Sequence, residues 1–268
     1  MRVGVYFNKK YFSDSDRYVE KIRNSFPKDF CRVVSSGREL DGIDVLFVLG
    51  GDGTILSIAS ECAARQVKII GVNYGHLGFL AEFEPAKFDE AIELVKSGDY
   101  IVQKRSMLEI ECGKKYYLAL NDIVIQRSTS GENFRNTVSL HAEIDGATVD
   151  NFSSDGIIVS TPTGSTAYSL AAGGSVLTPD IGAFILTPIC PHSLHSRPVV
   201  FSDSSTLAIS PVDTGAPLCI IVDGKSVGVL NYGETVRIKK SQKTVDFITK
   251  DDKNFFNKLL IKLNIWSK

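Results

Sequence analysis

The run LGGDGT, residues 49–54, combines residue types that suit phosphate chemistry. Glycines at 50, 51 and 53 permit backbone angles that side chains forbid, so main-chain N–H groups can approach an anion closely. The carboxylate of Asp52 would repel phosphate unless a metal ion or a proton transfer requires it. The combination favours a kinase site in which Asp52 accepts a hydroxyl proton. The alternative is a tight strand-to-helix turn in which Asp52 is only the N-cap of the helix.

A second segment, DGIIVSTPTGSTAYSLAAGG at residues 155–174, also has the character of a ligand site. A strand is predicted over Ile157–Ser160, followed by a turn and a helix from Ser165 to Ala172. Its many hydroxyl groups, together with the free amides at a helix start, suit a polar ligand such as a dinucleotide. The Tyr168 ring could stack on a planar group. The alternative is an ordinary Ser/Thr-capped helix between two strands.

Two smaller constellations are weaker signals. Asn121 and Asp122 open a predicted strand. An amide beside a carboxylate can hydrogen-bond vicinal ribose hydroxyls, and Asp122 could help to hold a metal ion, although polar pairs are also common at strand starts. His192 and His195 lie near Cys190, but no second ligand cluster accompanies them, so we assign no metal ligand.

Composition excludes several classes of protein. The 268 residues are 43% hydrophobic and carry a net charge of −1, so nucleic acid and anionic membranes are poor partners. The five cysteines are odd in number and scattered, which favours a reducing, cytoplasmic compartment. Neither a P-loop motif nor a GxGxxG fingerprint is present, so another geometry must hold any nucleotide.

The first hundred residues alternate predicted strands and helices, which favours a parallel sheet covered by helices on both faces. Ligands of such sheets bind beyond the carboxyl ends of the strands, where LGGDGT and the loop from Asn73 to Gly78 both lie. The predicted strands are Arg2–Phe7, Phe30–Ser35, Ile43–Leu49 and Val67–Val72, and the predicted helices are Asp14–Phe26, Thr54–Arg65 and one after Pro85.

From Tyr100 to Phe247 short alternating or β-branched runs predominate, including Tyr116–Gln126, and Asp145-Gly146 is a hairpin signal. We therefore predict three regions. Residues 1–98 form an α/β nucleotide- or phosphate-binding domain, 99–247 form a β-rich ligand-binding domain, and 248–268 form a C-terminal helix that returns to the first domain.

Five segments together resemble the bacterial NAD kinase family, in its order and spacing. The GGDGT element alone is shared with phosphofructokinases and with diacylglycerol or sphingosine kinases, whereas GSTAYSLAAGG with PHSL narrows the match to NAD kinases. The segments are LGGDGTIL (49–56), GVNYGHLGFL (71–80), ALNDIVI (119–125), DGIIVSTPTGSTAYSLAAGG (155–174) and LTPICPHSL…RPVV (186–200).

The resemblance implies an NAD kinase and diacylglycerol kinase-like fold: an α/β N-terminal domain with a parallel sheet plus a β-rich C-terminal domain that binds NAD. It implies transfer of the γ-phosphoryl group of ATP, with a divalent metal ion such as Mg²⁺, to the 2′-hydroxyl of the adenosine ribose of NAD, giving NADP and ADP. It also implies a homodimer or homotetramer, with active sites between domains and between subunits.

The resemblance further assigns roles to individual residues. Asp52 is the proton acceptor, Phe79 lines the adenine pocket, and Asn121 with Asp122 contacts ribose. Asp155 and the run from Thr166 to Ala171 match the dinucleotide-binding segments. The implied cofactor-binding residues are Asp52, Gly53, Phe79, Asn121, Asp122, Asp155, Thr166, Ala167, Tyr168, Ser169, Leu170 and Ala171.

Three positions depart from the family pattern. Asp122 stands where Glu is usual, Ser153 where a basic residue often stands, and Lys225 where many members have Gln or His. Two other functions stay open: a kinase for a lipid or sugar hydroxyl on the same N-terminal scaffold, and a non-catalytic NADP(H)-sensing module. The retained carboxylate of Asp52 disfavours the sensor, because a sensor needs no carboxylate beside phosphate.

Overall fold

The computed structural model describes residues 1–8, 15–74, 78–128, 137–213, 217–251 and 255–266. The chain forms two compact units. The first combines Met1–Arg105 with Lys243–Lys268, and the second is Ser106–Gln242. Both divisions fall inside long strands, whereas the domain limits predicted from the sequence, 1–98, 99–247 and 248–268, follow changes in composition and stay predictions.

The first unit is built on a parallel sheet. Its elements are β1 Val3–Phe7, α1 Ser15–Ser25, β2 Phe30–Val34, β3 Val45–Leu49, α2 Asp52–Arg65, β4 Lys68–Val72, α3 Phe88–Ser97, the start of β5 Ile101–Cys112, the end of β16 Val236–Thr249, and α5 Phe255–Trp266. The strands lie in the order β2-β1-β3-β4, and the end of β16 pairs with β4 in parallel, with Phe247 opposite Ile69. Because β3 is buried on both faces, its sequence is a continuous apolar run, VLFVL.

The helices of this unit carry apolar residues at helical spacing, so each helix has one apolar face that can pack against the sheet. In α2 the buried residues are Ile55, Ile58, Ala59, Cys62 and Ala63, which recur every three to four positions on one face. The helix ends at Gln66, which adopts a left-handed conformation with a φ of 57°. The four predicted strands and the helix Thr54–Arg65 are confirmed to within two residues at each end, and α3 is the helix predicted after Pro85. The helix predicted over Asp14–Phe26 is α1, although Asp14 lies outside the described residues.

The second unit is formed mainly of antiparallel strands. Its further elements are β6 Lys115–Ala119, β7 Asp122–Arg127, β8 Val138–Ile144, β9 Ala147–Ser154, β10 Gly156–Ser160, α4 Tyr168–Ala171, β11 Ala183–Ile189, β12 Val199–Ser202, β13 Leu207–Pro211, β14 Leu218–Val222 and β15 Lys225–Leu230. One six-stranded sheet has the order β12-β11-β10-β7-β14-β15. Strands β9, β8, β13 and the start of β16 pair in a second sheet, and β5 pairs with β6.

Local predictions in the second unit have mixed outcomes. The hairpin turn at Asp145-Gly146 is confirmed, since both residues have positive φ between β8 and β9. The run Tyr116–Gln126 is two strands rather than one. The helix predicted from Ser165 to Ala172 is wrong in length: a 3₁₀ turn over Gly164–Thr166 precedes the four-residue α4. None of the helices in the described ranges has the length and apolar character that a membrane crossing requires.

Candidate active site

Asp52 is the first residue of α2, directly after the strand β3 and two glycines. Gly50 has a φ of 153°, and a Cβ there would lie 2.7 Å from Cβ of Thr54, so glycine is needed for this turn. The N-cap position belongs to Gly51, and no side chain among the described residues caps the helix. The alternative in which Asp52 is only a helix cap is therefore wrong, and its carboxylate has another use.

The Asp52 carboxylate is held by two main-chain N–H groups of a distant segment. Phe79 N–H donates to Oδ2 at 2.8 Å, and Leu80 N–H donates to Oδ1 at 3.1 Å. Gly78 makes this approach possible, because a Cβ there would collide with Oδ1 and lie 2.5 Å from Cγ of Asp52. Each oxygen keeps a further lone pair. Asp52 is thus a fixed, half-buried carboxylate that can still accept a proton.

The glycines on either side of Asp52 are not explained by packing. Among the described residues, a Cβ at Gly53 would meet no atom within 4 Å, and one at Gly51 would meet only Oδ1 of Asn73, at 3.9 Å. Without side chains, these glycines leave the start of α2 uncovered, and Gly53 is exposed. Main-chain amides at such a helix start, its positive end, suit the binding of a phosphate group.

Phe79 contributes its backbone to Asp52 and its ring to helix α5. The ring centroid lies 6.2 Å from that of Phe255, and Nζ of Lys262 lies 4.5 Å from the centroid of the Phe79 ring. Its role in an adenine pocket stays a prediction. The sequence reasoning missed the backbone role, since the pattern GHLGFL gives no sign of which N–H groups turn towards Asp52.

In the second unit, Asp223 organises the residues that precede β7. Its carboxylate accepts hydrogen bonds from the N–H groups of Leu120 at 2.8 Å, Asn121 at 2.8 Å and Asp122 at 3.1 Å. Asp223 has a φ of 45° and Gly224 a φ of 77°, which forms the tight turn between β14 and β15. Sequence analysis missed this role of Asp223. The Asp-Gly hairpin signal was available, but the target of the carboxylate was not.

Asp122 is a buried carboxyl group whose protonation is set by its surroundings. Its exposed fraction is 6%, and burial together with the neighbouring charge of Asp223 raises its pKa from 3.8 to about 7. Burial also raises the pKa of Asp223, although its three backbone hydrogen bonds oppose that shift. Ser160 lies directly opposite Asp122 in the β7–β10 register, and its buried hydroxyl has no hydrogen-bond partner among the described residues.

The raised pKa of Asp122 predicts a fall in the free energy of unfolding between about pH 4 and pH 7. In that window the folded protein keeps the Asp122 proton while the unfolded chain has lost it. The stabilisation is complete below the unfolded pKa and is lost as the pH rises through about 7. Asp122→Asn cannot ionise, so it should remove on the order of 3 kcal/mol of this pH dependence.

Urea unfolding of the wild-type chain and of Asp122→Asn at pH 5 and pH 8 measures this difference. Asp99→Asn, at an exposed position, is the matched control and should keep the wild-type pH dependence. If Asp122→Asn also keeps it, Asp122 does not titrate in this range.

The turn after β10 packs against the Asn121 backbone. Thr161 Oγ1 donates to the carbonyl of Leu120 at 2.5 Å and accepts from Gly164 N–H at 3.1 Å. A Cβ at Gly164 would lie 2.5 Å from the carbonyl carbon of Asn121, so only glycine permits this approach. The close contact brings residues 161–164 together with the Asn121-Asp122 pair. The predicted helix is interrupted further along, at Ala167, whose φ of −104° and ψ of −128° lie outside the helical region.

The run from Thr166 to Ala171 has both structural and solvent-facing side chains. Ser169 is buried and its hydroxyl pairs with that of Thr187 at 2.9 Å, so this side chain serves the fold. Tyr168 is 43% exposed, and burial of its hydroxyl end, with the charges of Cys190, Asp155 and Asp122, raises its pKa. Thr166, Ala167 and Leu170 are half-buried, and Ala171 is exposed.

Asp155 is already paired with a residue that sequence analysis did not select. Arg127 Nε donates to Asp155 Oδ1 at 2.9 Å, with side chains that are 26% and 31% exposed. A ligand role for Asp155 stays a prediction. Over the described residues, no group of three or more His, Cys, Asp or Glu side chains is arranged to hold a metal ion.

Comparison with known proteins assigns this chain to a family. Residues 6–100 match the family model of the ATP-NAD kinase N-terminal domain, and residues 120–250 match that of the ATP-NAD kinase C-terminal domain. The chain is 40% identical over 225 residues to the NAD kinase of Caldanaerobacter subterraneus, covering 82% of this chain and 78% of that protein. It is 34% identical over 265 residues to the NAD kinase of Caldicellulosiruptor bescii, covering 98% and 99%.

The chain belongs to the NAD kinase family. It is therefore a kinase that acts on NAD, and the resemblance drawn from its sequence motifs is confirmed.

Solved structures of this family share the fold. Yeast NADH kinase, in a complex with NADH, matches with a TM-score of 0.86 and 26% identity, covering 100% of this chain and 89% of that one. An NAD kinase from Archaeoglobus fulgidus, in a complex with ATP, matches with a TM-score of 0.81 and 27% identity over 98% and 99% of the two chains. The predicted fold class, an α/β N-terminal and a β-rich C-terminal domain, is confirmed.

Proposed function

We propose that this chain transfers the γ-phosphoryl group of ATP to the 2′-hydroxyl of the adenosine ribose of NAD, with Asp52 as the base. The observation that carries the proposal is the carboxylate of Asp52, fixed by two N–H donors at the start of α2 beside glycines that place no side chain over the helix start. The solved relatives in complexes with ATP and with NADH support these two ligand classes.

The reaction needs a base because a ribose hydroxyl is a weak nucleophile. As the oxygen–phosphorus bond to the 2′-oxygen forms and the bond to the β,γ-bridging oxygen of ATP breaks, the hydroxyl proton passes to Asp52. Its fixed carboxylate avoids the cost of orienting a mobile side chain in the transition state. The main-chain amides at Gly51 and Gly53, which no side chain of their own covers, would stabilise charge on the phosphoryl group.

Magnesium fits this proposal as part of the MgATP substrate. Mg²⁺ is commonly held by substrate phosphates with only one or two protein carboxylates, and the described residues contain no cluster of three ligands. The ion would neutralise phosphate charge, and no residue of the chain is assigned as its permanent ligand.

The residues of the second unit supply the proposed dinucleotide contacts. Asn121 and Asp122 would hydrogen-bond ribose hydroxyls, and the hydrogen bonds that their backbone N–H groups donate to the Asp223 carboxylate fix the pair. Tyr168, with its exposed ring, would stack on a planar group. The further proposed contacts are Asp155, Thr166, Ala167, Ser169, Leu170 and Ala171, of which the buried Ser169 would contribute backbone only.

Substrate analogues test this function directly. NAD with ATP and magnesium should give NADP as the sole phosphorylated dinucleotide, whereas 2′-deoxy-NAD should bind but not react, because it lacks the attacking oxygen. Phosphorus NMR of the product identifies the phosphorylated position, and calorimetry measures analogue binding. Phosphate at the 3′-position, or faster turnover of a lipid or sugar, would contradict the proposal, and binding without turnover would indicate a sensor.

We also infer a cytoplasmic location and a homodimer or homotetramer. The scattered, odd-numbered cysteines support the compartment. The oligomeric state rests on the family resemblance alone, and light scattering of the purified chain would measure it.

A further inference from the structure

The segment of residues 79–82 lies between Asp52 and helix α5. On one side, the N–H groups of Phe79 and Leu80 donate to the two oxygens of Asp52, at 2.8 and 3.1 Å. The orientation of the carboxylate therefore depends on where this short stretch of backbone is held.

On the other side, Lys258 of α5 forms two hydrogen bonds with the same segment. Its Nζ donates to the carbonyl of Ala81 at 3.1 Å and to Oε2 of Glu82 at 2.9 Å. The side chains of Lys258 and Glu82 are each only 13% exposed. A charge-assisted pair so shielded from water is stronger and more directional than a surface ion pair.

The aromatic side chain of the segment is also covered by α5. The Phe79 ring lies 6.2 Å from the ring of Phe255, centroid to centroid, and Nζ of Lys262 lies 4.5 Å from the Phe79 centroid. A cation at that distance from a ring attracts it. Helix α5 thus contacts the ring of Phe79, the carbonyl of Ala81 and the carboxylate of Glu82.

Strand β4 and the residue after it form hydrogen bonds with the far end of the segment. The N–H groups of Glu82 and Phe83 donate to the carbonyl of Gly71 at 3.2 and 3.1 Å, and Asn73 N–H donates to the carbonyl of Phe83 at 2.8 Å. These bonds fix residues 82 and 83, whereas the residues whose N–H groups donate to Asp52 are 79 and 80. Helix α5 reaches the segment nearer to Asp52, at the ring of Phe79 and the carbonyl of Ala81.

We propose that α5 is a positioning element for phosphoryl transfer, acting through Lys258 on the backbone that orients Asp52. The proposal rests on the proposed function in one respect, the role of Asp52 as base. Lys258 is a positioning residue, because its contacts reach the segment and not the reacting atoms. A displacement of about 1 Å at a reacting group can cost about a hundredfold in rate, so even a modest loosening should be measurable.

Three substitutions at Lys258 test the proposal in the full chain. Lys258→Met removes both hydrogen bonds and leaves the Glu82 carboxylate unpaired, so kcat should fall about tenfold or more, by a larger factor than KM for NAD rises. Hydrogen exchange of the Phe79 and Leu80 amides should accelerate in the same variant. Lys258→Arg can reach both acceptors and should restore most of kcat. Lys258→Gln, which keeps a donor, is the milder variant to measure if the Met variant does not fold.

Leu260→Ala is the matched control on the same helix, since Leu260 is 60% exposed, and it should leave kcat and the exchange of both amides unchanged. Wild-type kcat in Lys258→Met would overturn the proposal, as would a lower kcat with unchanged exchange at Phe79 and Leu80. Failure of the proposed function is distinguished by Asp52→Asn: if that variant keeps its kcat, Asp52 is not the base, while the exchange rates still decide whether α5 holds the segment.

Discussion

Asp52→Asn is expected to lower kcat by about a hundredfold to ten thousandfold, the range that general-base catalysis contributes. The amide fills the same space but cannot accept the hydroxyl proton. Binding of NAD should stay within a few-fold of wild type, because the proposed dinucleotide contacts are made by other residues. Steady-state kinetics with ATP and NAD, together with calorimetric titration of NAD, separates the two effects.

The structure refines how this variant should behave as a folded protein. Asp52 accepts one N–H at each oxygen, from Phe79 and from Leu80, whereas an Asn amide can accept only at its single oxygen. One N–H group then loses its partner, and we expect a loss of about 1–3 kcal/mol in the free energy of unfolding.

Exposed Asp99 provides the control for a neutral substitution elsewhere in the same unit. Asp99→Asn should leave kcat and the free energy of unfolding unchanged. Wild-type kcat in Asp52→Asn would remove the base role from Asp52. An equal fall in kcat and in NAD affinity would assign it to binding instead.

Sequence patterns predicted the turn at residues 49–54 because its information is local. An apolar strand, three glycines and an amphipathic helix follow one another in the sequence, and each has its own signature. The alternative of a capping Asp52 was wrong for a non-local reason. The donors to its carboxylate, Phe79 and Leu80, lie 27 and 28 residues further along the chain, where no spacing rule points back to residue 52.

The second unit shows the same limit over a longer distance. Asp223 is about a hundred residues from Asn121 and Asp122, and its role follows only from the pairing of β7 with β14. The helix predicted from Ser165 was too long because the backbone leaves the helical region at Ala167, which has a φ of −104° and a ψ of −128°. Helical propensity is a weak preference that the surrounding structure can override.

The motifs predicted the family correctly, but they could not predict what each single residue does. Asp155 is paired with Arg127, and the hydroxyl of buried Ser169 is bonded to that of Thr187, and neither contact can be predicted from the motif. A motif residue can serve the fold, the ligand or a neighbouring side chain, and only its surroundings distinguish these. The roles of Asp155 and Ser169 at the ligand therefore remain proposals, whereas the family of the chain is established.

Gly78→Ala is expected to disable catalysis nearly as much as the loss of the Asp52 carboxylate. The new Cβ would collide with Oδ1 of Asp52 and lie 2.5 Å from its Cγ, so the carboxylate or the backbone of Phe79 and Leu80 must move. Either movement breaks the two hydrogen bonds that fix the base. With a displacement on the order of 1 Å, kcat should fall about a hundredfold.

Gly228→Ala is the matched control for adding a methyl group to a glycine. Among the described residues, a Cβ at Gly228 would meet no atom within 4 Å, and that residue is exposed. Its kcat and thermal midpoint should equal those of wild type. A Gly78→Ala enzyme with wild-type kcat would mean that the Asp52 carboxylate tolerates displacement and that its position is not what catalysis requires.

The double variant Gly78→Ala/Asp52→Asn distinguishes the proposed cause from general damage. Suppose that Gly78 acts only by leaving room for the Asp52 carboxylate. Asp52→Asn then already removes the part of kcat that depends on that carboxylate, so the double variant should be no slower than Asp52→Asn alone. Independent effects would instead multiply the two losses in kcat. Multiplied losses would show that Gly78 serves the fold or the substrate by a route that does not pass through Asp52.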